Sequence, residues 1–538
     1  MNKTKKKKAP KRPIDRLFDA LIAHPFLFVA TVCALLLPFG MAQLQQITPA
    51  GIVTESVIWI LAALALVVFG KPSQDVKINL LLIFSPVVLS VLFSVMVNEN
   101  TAHGKVMFVP VLVGLVILGL ALHRENALNT DRVVLLMILL GVVVRYCYVL
   151  RYSSTEMQHD AGSFASTAGH ESYIMYWYNN GLKMPDFNVT TRWQYYHPPL
   201  HHMLMAALLH IFTSFGVELK EAQEAIQILP MLYSSLTMVV CYRIFKLVKL
   251  EGKGLIVAMS IACFYPTFII WSGAYNNDML ASFLSLLAIL WTLKWVQHPT
   301  LLYILPIALS VGFGMMAKLS AWMVAPAIAI VFLWVFIQNI KKPLPFIGQF
   351  AAFGAVCAPL GLWWGIRNFV TFHIPFTYVP DPHMQQMSLK AIPTAKRLFD
   401  FGASQFNYPF EAFTMYGAPY NEYNPLIALL KTSIFDEYHK PWDFNEMATV
   451  FVIAAAVLAV ISVVCLVWML CQKKMGPDFR TKVFFTVVFL TTLISYYGFC
   501  FRYPYVCSEN IRFCIPIIPI LAMALGFGVN RFTEPSRK

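Results

Sequence analysis

Charged side chains are scarce in this chain. Of its 538 residues, 13% are charged and 58% are hydrophobic, whereas an ordinary globular domain has roughly 25% charged residues. Apolar runs recur from end to end, and a helix of about 20 apolar residues crosses a hydrocarbon core about 30 Å thick. Lipid offers no partner for backbone polar groups, so we expect helices rather than strands. The sequence therefore predicts an all-α, polytopic integral membrane protein.

Several catalytic motifs of soluble enzymes are also missing. The sequence has no phosphate-binding glycine loop, no GxSxG, no HExxH and no DxD in a usable context. Its ten cysteines include no CxxC pair and no zinc-ligand spacing. These absences argue against a nucleotide-driven pump and a soluble-type hydrolase, and no nucleotide cofactor is predicted.

The net charge of +14 does not indicate a nucleic-acid partner. The basic residues lie in short clusters between apolar runs, without a basic aromatic surface. A bias of positive charge toward cytosolic loops explains them better. The N-terminal MNKTKKKKAPKRP is predicted to be a disordered cytosolic tail that precedes a retained first helix rather than a cleaved signal peptide.

Fifteen apolar segments are candidates for membrane helices. They are Pro25–Leu44, Val53–Phe69, Ile78–Val97, Val106–Leu122, Val133–Leu150, Leu200–Phe215, Ile226–Val248, Leu255–Trp271, Met279–Val296, Leu301–Met316, Ala321–Phe336, Ile347–Trp364, Ala448–Leu470, Val483–Phe501 and Ile515–Val529.

Charge decides which of these segments cross the membrane. If all crossed, the basic connector at Lys473–Lys482 and the C-terminal tail would lie outside, against the positive-inside rule. If Leu200–Phe215 does not cross, the later basic connectors and both termini become cytosolic. This segment is short, contains three histidines and follows Pro198-Pro199, which suits the start of an interfacial helix. We therefore predict about 14 transmembrane helices and one juxtamembrane helix on the outer face of the plasma membrane.

This topology divides the chain into five parts. They are a basic cytosolic tail (1–24), four extra N-terminal helices (25–130), a transmembrane core (131–366) with an outer catalytic loop (151–199) and the juxtamembrane helix (200–216), a large outer loop (367–447), and the C-terminal helices with a cytosolic tail (448–538).

The first outer loop holds the strongest candidate for chemistry. Asp160, which is flanked by His159 and followed by Gly162, could accept a proton from an attacking group. It could also bind a divalent cation, and a solvated loop acid is the plain alternative. The other polar candidates of this loop are Glu156, His170, Glu171 and Asp186.

Two further polar positions lie at predicted outer helix ends. Tyr196 and His197 precede Pro198-Pro199, where the aromatics are either ordinary interfacial residues or the wall of a sugar or lipid-phosphate pocket. Asn277 and Asp278 lie between two apolar runs, where Asp278 either caps the next helix or belongs to the site. Asp160 and Asp278 are the candidate metal ligands.

Cations near the outer helix ends have two explanations. In the first, the side chains only extend toward the polar membrane interface and bind no ligand. The residues are Lys318, Arg367, Arg502 and Arg512. They could also bind phosphate oxygens, for which the arginine fork is well shaped. Arg145 lies inside a predicted helix, and an arginine at membrane depth is a candidate functional residue.

Taken in order, these features resemble the GT-C-fold glycosyltransferases, in the group of the protein O-mannosyltransferases and the bacterial aminoarabinose transferases of lipid A. The resemblance extends over roughly residues 133–529. The matching features are Asp160, the HPPL segment His197–Leu200, Asn277-Asp278, the helix ends Gly312–Lys318 and Trp364–Asn368, Arg502 and Arg512.

The resemblance implies a function. It implies inverting transfer of a sugar from a polyprenyl-phosphate carrier to an extracytoplasmic protein, lipid or glycan, with Asp160 as base or metal-associated acid. It implies cations at the lipid phosphate and allows for Mg²⁺ or Mn²⁺. One departure is that the protein mannosyltransferases carry Asp-Glu where this chain has Asp160-Ala161. A transporter or lipid flippase and a glycan polymerase or ligase remain alternatives.

Overall fold

The computed structural model describes residues 12–33, 116–120, 122–124, 126–381, 387–402, 423–437, 445–473 and 475–533. Within these ranges the regular elements are helices, with one isolated β-bridge between Ser388 and Tyr505 and no strand. The predicted all-α class is confirmed. The chain forms two compact units, Met1–Arg151 and Tyr152–Lys538.

In the first unit, the named helices are α1 (Pro13–Ala23), α2 (Pro25–Cys33) and α3 (Thr130–Arg151), and residues 116–120 and 122–124 are also helical. Helix α1 lies within residues 1–24, the segment predicted as a basic cytosolic tail. Proline at its first position and Asp15 in its first turn suit a helix start. Its apolar face buries Ile14 and Phe18, and Asp15 forms a 2.6 Å ion pair with Arg132 of α3.

The second unit contains the remaining α-helices. They are α4 (His170–Asn179), α5 (Leu200–Ser214), α6 (Leu219–Ala225), α7 (Ile228–Leu247), α8 (Gly252–Phe264), α9 (Pro266–Ile270), α10 (Asp278–Gln297), α11 (Leu301–Ala317), α12 (Ala325–Gln338), α13 (Leu344–Phe372), α14 (Thr394–Phe399), α15 (Pro425–Phe435), α16 (Asn445–Cys471), α17 (Phe479–Arg502) and α18 (Ile517–Thr533).

Many of these helices are suited to a membrane. By length and composition, seven helices in the described ranges could span a bilayer, or ten if each of three bent pairs is one span. The predicted spans Val53–Phe69 and Ile78–Val97 lie outside the described residues, as do most of Pro25–Leu44 and Val106–Leu122. The chain is an integral membrane protein, and the count of about 14 stays a prediction.

Close helix packing in the second unit depends on small residues. Gly254 of α8 faces α18, where an added Cβ atom would lie 2.1 Å from the Gly526 carbonyl oxygen. On α11, a Cβ atom at Gly312 would lie 2.8 Å from the Cβ atom of Leu360 on α13. Glycine at such positions lets two helix backbones approach closely. Close packing matters in a membrane because the hydrophobic effect does little to hold helices together in lipid.

Several predicted helix and loop boundaries differ from those in the structure, which has a proline break and short helices at these places. The span predicted at Leu255–Trp271 is a pair of segments bent by 43°, because Pro266 lacks the backbone N–H that would continue α8. The predicted outer loop 151–199 contains α4. The predicted outer loop 367–447 begins inside α13 and contains α14 and α15, whose buried apolar run is too short to span.

The helix expected after Pro198-Pro199 is present as α5, with Pro199 as its N-cap residue. One face of α5 is buried, including His201, His202 and Met205, and it packs against α4. Its placement along the membrane surface stays a prediction. Helix α5 directly follows the segment that carries Tyr196 and His197, and α4 begins at His170.

Candidate active site

The backbone around Asp160 is a tight turn fastened to the start of α4. Asp160 has φ +51°, in the left-handed region that aspartate tolerates better than most residues. Its carbonyl oxygen accepts a 3.0 Å hydrogen bond from the backbone N–H of His170. The turn returns through Gly162, where an added Cβ atom would lie 2.1 Å from the Ala168 carbonyl oxygen. Glycine is therefore required two residues after Asp160.

Two acid–base pairs form the centre of the site. Asp160 Oδ2 lies 3.0 Å from Arg512 Nη1, and Asp278 Oδ1 lies 2.5 Å from Lys318 Nζ. Both cations lie near the ring of Phe513, at 5.0 Å for the Arg512 guanidinium carbon and 5.2 Å for Lys318 Nζ. We call Asp160, Asp278, Lys318 and Arg512 the charged cluster. All four residues are candidates from the sequence alone, but the sequence does not indicate how they pair.

The two carboxylates of the charged cluster differ in exposure. The side chain of Asp160 is 31% exposed, and that of Asp278 is 3% exposed. Among the described residues, Asp160 Oδ1 has no hydrogen-bond partner. The Nε atom of Arg512 is likewise buried without a partner in the described part of the chain. Asp160 therefore presents one carboxylate oxygen to an incoming group.

Asp278 does not cap α10. It is the first residue of the helix, its N-cap is Asn277, and neither supplies a side-chain cap hydrogen bond. The capping alternative is wrong because Lys318 holds the Asp278 carboxylate. Asn277 is fully buried and donates a 2.7 Å hydrogen bond to the Ala317 carbonyl oxygen, which fixes the end of α11 just before Lys318.

His159 lies between two carboxylates that sequence analysis missed. Its Nε2 atom is 2.6 Å from Asp436 Oδ2, and its Nδ1 atom is 3.0 Å from Glu437 Oε2. The imidazole also stacks on Trp271 at 4.7 Å. Burial alone would lower the pKa of His159, but the charges of Asp436 and Glu437 raise it to about 10. His159 is therefore an imidazolium at neutral pH.

Asp436 and Glu437 follow α15, inside the segment predicted as a large outer loop. A signal was present in the sequence, since an Asp-Glu pair directly follows the apolar run PLIALLKTSIF. Nothing in its spacing links it to His159, which is 277 residues away along the chain. Only the folded chain brings the two segments together.

A second group of ionisable side chains near Asp160 is neutral. His170 Nδ1 is 2.8 Å from His202 Nε2, and the His170 ring stacks on His197 at 5.5 Å. Burial, and after it the charges of neighbouring basic groups, lower the pKa of His170 and His197 well below the usual range. Burial raises the pKa of the Glu171 carboxyl to about 8. We call His170, His197 and His202 the neutral cluster.

Tyr196 connects the two clusters. Its ring contacts His197 at 4.3 Å, and its carbonyl oxygen accepts a 3.0 Å hydrogen bond from the Trp364 indole. Burial, and after it the charge of Asp160, raise the pKa of the Tyr196 hydroxyl, so this group stays protonated. Tyr196 can therefore donate a hydrogen bond in the vicinity of Asp160.

Other predicted residues lie in different surroundings. Arg367 is on α13 rather than beyond the helix end, and it donates to the carbonyl oxygen of Pro185 and to Asn368 Oδ1. Arg502 is exposed and lies against the Tyr503 ring, 5.6 Å from its centroid. Glu156 and Asp186 are exposed. Arg145, in the first unit, is buried and donates to the Gly141 carbonyl oxygen at 2.9 Å.

A small cleft opens beside the charged cluster. It is lined by Asp278 and Arg512 together with the hydroxyl-bearing residues Ser282, Ser285, Ser320 and Thr492. The Thr492 hydroxyl is buried without a partner among the described residues. The cleft thus offers hydrogen-bonding groups as well as charge.

The candidate metal ligands Asp160 and Asp278 have cations rather than further acids as their partners among the described residues. Across the described ranges, no group of three or more His, Cys, Asp or Glu side chains has the arrangement of metal ligands. Binding of Mg²⁺ or Mn²⁺ stays a prediction.

These features define an integral membrane protein whose polar site is built from the ends of apolar helices. The family model of the dolichyl-phosphate-mannose-protein mannosyltransferases matches residues 196–363. The match begins at Tyr196 and includes Asn277, Asp278 and Lys318. The family resemblance drawn from the sequence motifs is confirmed over this part of the chain.

One solved structure that the chain resembles is the arabinosyltransferase EmbB from Mycobacterium smegmatis. Its sequence identity is 12% and its TM-score is 0.31, with 80% of this chain and 45% of that chain covered. The chain therefore spans less than half the length of that protein. No curated protein matches the chain.

Proposed function

We propose that the chain is a glycosyltransferase that moves a sugar from a polyprenyl-phosphate carrier to a hydroxyl- or amine-bearing acceptor on the extracytoplasmic face. The observation that carries this proposal is the charged cluster. It combines a half-buried carboxylate that has one unengaged oxygen with two cations from distant parts of the second unit. The family match, which includes Asp278 and Lys318, supports the same reaction class.

Asp160 is the proposed general base. The acceptor oxygen or nitrogen attacks the anomeric carbon of the sugar, and its proton passes to Asp160 Oδ1. The bond between the anomeric carbon and the phosphate oxygen breaks, and its electron pair leaves with the polyprenyl phosphate. Because attack and departure occur on opposite faces, the anomeric configuration inverts. A positioned base of this kind contributes roughly 10²- to 10⁴-fold to a rate.

Arg512 and Lys318 are the proposed phosphate-binding groups. A guanidinium has five N–H donors, and Asp160 engages Arg512 through Nη1. The unpartnered Nε atom is one donor that a phosphate oxygen could use. Fixed cations stabilise charge that develops on a leaving group without reorganising during the reaction. The donor would therefore place its phosphate near Phe513, between the two cations.

The hydroxyl-bearing residues that line the cleft are the proposed contacts for the sugar of the donor. Ser282, Ser285 and Thr492 face a space that adjoins Arg512 and Asp278. Sugar hydroxyls both donate and accept hydrogen bonds, as serine and threonine hydroxyls do. An unpartnered buried hydroxyl such as that of Thr492 gains when a ligand completes its hydrogen bonding.

The test is transfer by the full chain in liposomes supplied with labelled polyprenyl-phosphate sugars of several kinds. The proposal expects the label to move to an acceptor, with one polyprenyl phosphate released for each sugar transferred. Movement of the intact donor across the bilayer, without release of polyprenyl phosphate, would instead support the flippase alternative. Growth of a sugar chain on a carrier-linked glycan would support the polymerase alternative.

A further inference from the structure

The turn that carries Asp160 contains backbone that needs support. Met157 and Asp160 have φ values of +57° and +51°, in the left-handed region. A side-chain-bearing residue in this region is strained and persists where its surroundings fix it. The two residues between them, Gln158 and His159, make the contacts that could supply this support.

Gln158 fastens one side of the turn. Its side-chain amide donates a 3.0 Å hydrogen bond to the Gly273 carbonyl oxygen and accepts one of 3.0 Å from the Tyr275 backbone N–H. These contacts tie the turn to the connection between α9 and α10. They hold the backbone before Asp160, but they do not reach the segment that carries Arg512.

His159 fastens the other side and links it to Arg512. The carboxylates of Asp436 and Glu437 contact the two imidazole nitrogens of His159. The Asn510 side-chain amide donates hydrogen bonds to Asp436 Oδ1 at 3.1 Å and to Glu437 Oε1 at 2.8 Å. Asn510 Oδ1 also accepts a 2.9 Å hydrogen bond from the Arg512 backbone N–H. One chain of contacts therefore runs from the residue before Asp160 to the residue that pairs with Asp160.

We infer that His159 is a positioning residue that sets the Asp160 carboxylate against Arg512 through the carboxylates of Asp436 and Glu437 and the amide of Asn510. His159 does not touch the substrate in this account. It fixes the turn from one side, while Asn510 fixes Arg512 from the other. This role rests on the proposed function, in which Asp160 is the base, and it assigns a task to the segment after α15.

His159 and the two carboxylates that contact it are largely buried. The side chains of His159 and Asp436 are 3% and 0% exposed, and Glu437 is 21% exposed. Removing one member of a buried ionic group leaves an uncompensated charge, whereas replacing every member by neutral hydrogen-bonding groups avoids it. The replacement of His159 alone should therefore disturb the turn more than replacement of all three residues.

The experiment compares H159Q with the triple variant His159→Gln/Asp436→Asn/Glu437→Gln, and His210→Gln serves as the matched histidine control. Rates are measured per monodisperse folded protein in the polyprenyl-phosphate transfer assay. A displacement of about 1 Å in a reacting group costs up to about 100-fold. We expect kcat of H159Q to fall 10- to 100-fold with KM for the donor unchanged, partial recovery in the triple variant, and a wild-type kcat for the control.

Backbone hydrogen exchange gives a readout that does not need activity. The amide of His170 is bonded to the Asp160 carbonyl oxygen, so its exchange reports whether the turn is held. We expect faster exchange of this amide in H159Q, with α10 and α17 unchanged. If H159Q yields too little folded protein, E437Q takes its place with a smaller change in the same direction.

Two results would overturn the inference. One is a wild-type kcat in H159Q together with unchanged exchange at His170. The other is a loss of protection throughout the second unit, because His159 would then be a general stability residue. If the wild-type chain transfers no sugar from any donor, the proposed function fails, and the exchange measurement still decides whether His159 holds the turn.

Discussion

The charged cluster and the neutral cluster lie in the same site, but the side chains of the first are charged and those of the second are uncharged. Asp160, Asp278, Lys318 and Arg512 are joined as ion pairs. By contrast, burial and neighbouring basic groups keep His170 and His197 neutral, and burial keeps Glu171 protonated at neutral pH. The difference does not follow from burial alone, because Asp278 is as deeply buried as His170.

His159 shows what decides between the two states. It is buried like His170, but two carboxylates face its ring nitrogens, whereas His170 faces His202 and lies near basic groups. A buried charge persists where an opposite charge and hydrogen bonds compensate the loss of water. The partners in space, rather than the residue type or depth, therefore determine which side chains of this site carry charge.

The largest effect is predicted for a substitution that breaks the charged cluster at Arg512. Arg512→Gln removes the partner of Asp160 and one proposed phosphate ligand, so we expect kcat/KM to fall about 10³-fold. Arg502→Gln is the matched control, because Arg502 is exposed on the Tyr503 ring, and its rate should stay close to wild type. Equal losses in the two variants would mean that the site does not depend on this particular arginine.

A smaller effect is expected at Lys318. Lys318→Gln leaves the buried Asp278 carboxylate without its partner, so the yield of folded protein should fall and kcat/KM should drop about 10²-fold. The double variant Lys318→Gln/Asp278→Asn should regain folding yield without regaining the rate. Lys183→Gln, at an exposed loop lysine, controls for loss of a positive charge. Full recovery of the rate in the double variant would remove Lys318 from phosphate binding.

The smallest effect on the rate concerns Glu171, which follows His170 in α4. The folded chain holds the Glu171 proton up to about pH 8, whereas the usual pKa is 4.5. The free energy of unfolding therefore loses a contribution as pH rises from 4.5 to 8 and loses no more above 8. Glu171→Gln removes this loss, so its stability relative to wild type should increase by a few kcal/mol over that range, at roughly 1.4 kcal/mol per pKa unit.

Thermal unfolding of wild type and Glu171→Gln at pH 5 and pH 8 checks this prediction. The transfer rate per folded protein should change little, since Glu171 has no role in the proposed chemistry. Glu156→Gln is the control, because Glu156 is exposed and its replacement should give no such pH dependence. A stability difference that does not change between the two pH values would show that the folded chain does not retain the Glu171 proton.

Hydropathy and local motifs predicted most of the fold in the second unit. The α-helical class, the helix after Pro198-Pro199 and the spans near α10, α16, α17 and α18 follow from local patterns, and the structure has them. Helices α1 and α15 were missed because one carries many charges and the other is shorter than a span. Their stability comes from packing of an apolar face, which a hydropathy window does not detect.

The site was predictable only in its residue types. Asp160, Asp278, Lys318 and Arg512 could each be identified from their positions near predicted helix ends. Their pairing depends on long-range packing, since Asp160 and Arg512 are 352 positions apart in the chain. The same reason hid Asp436 and Glu437, while Arg502, which looked equivalent to Arg512 in the sequence, faces away into an exposed position.

The most direct measurement compares Asp160→Asn with Asp186→Asn in transfer from a labelled polyprenyl-phosphate sugar in liposomes. Both changes neutralise an acid between α3 and α5, but Asp186 is exposed, whereas Asp160 is paired with Arg512. We predict that Asp160→Asn lowers kcat by about 10²- to 10⁴-fold, as loss of a general base does, and that Asp186→Asn keeps the wild-type rate. Wild-type turnover by Asp160→Asn would contradict the assignment of Asp160 as the base.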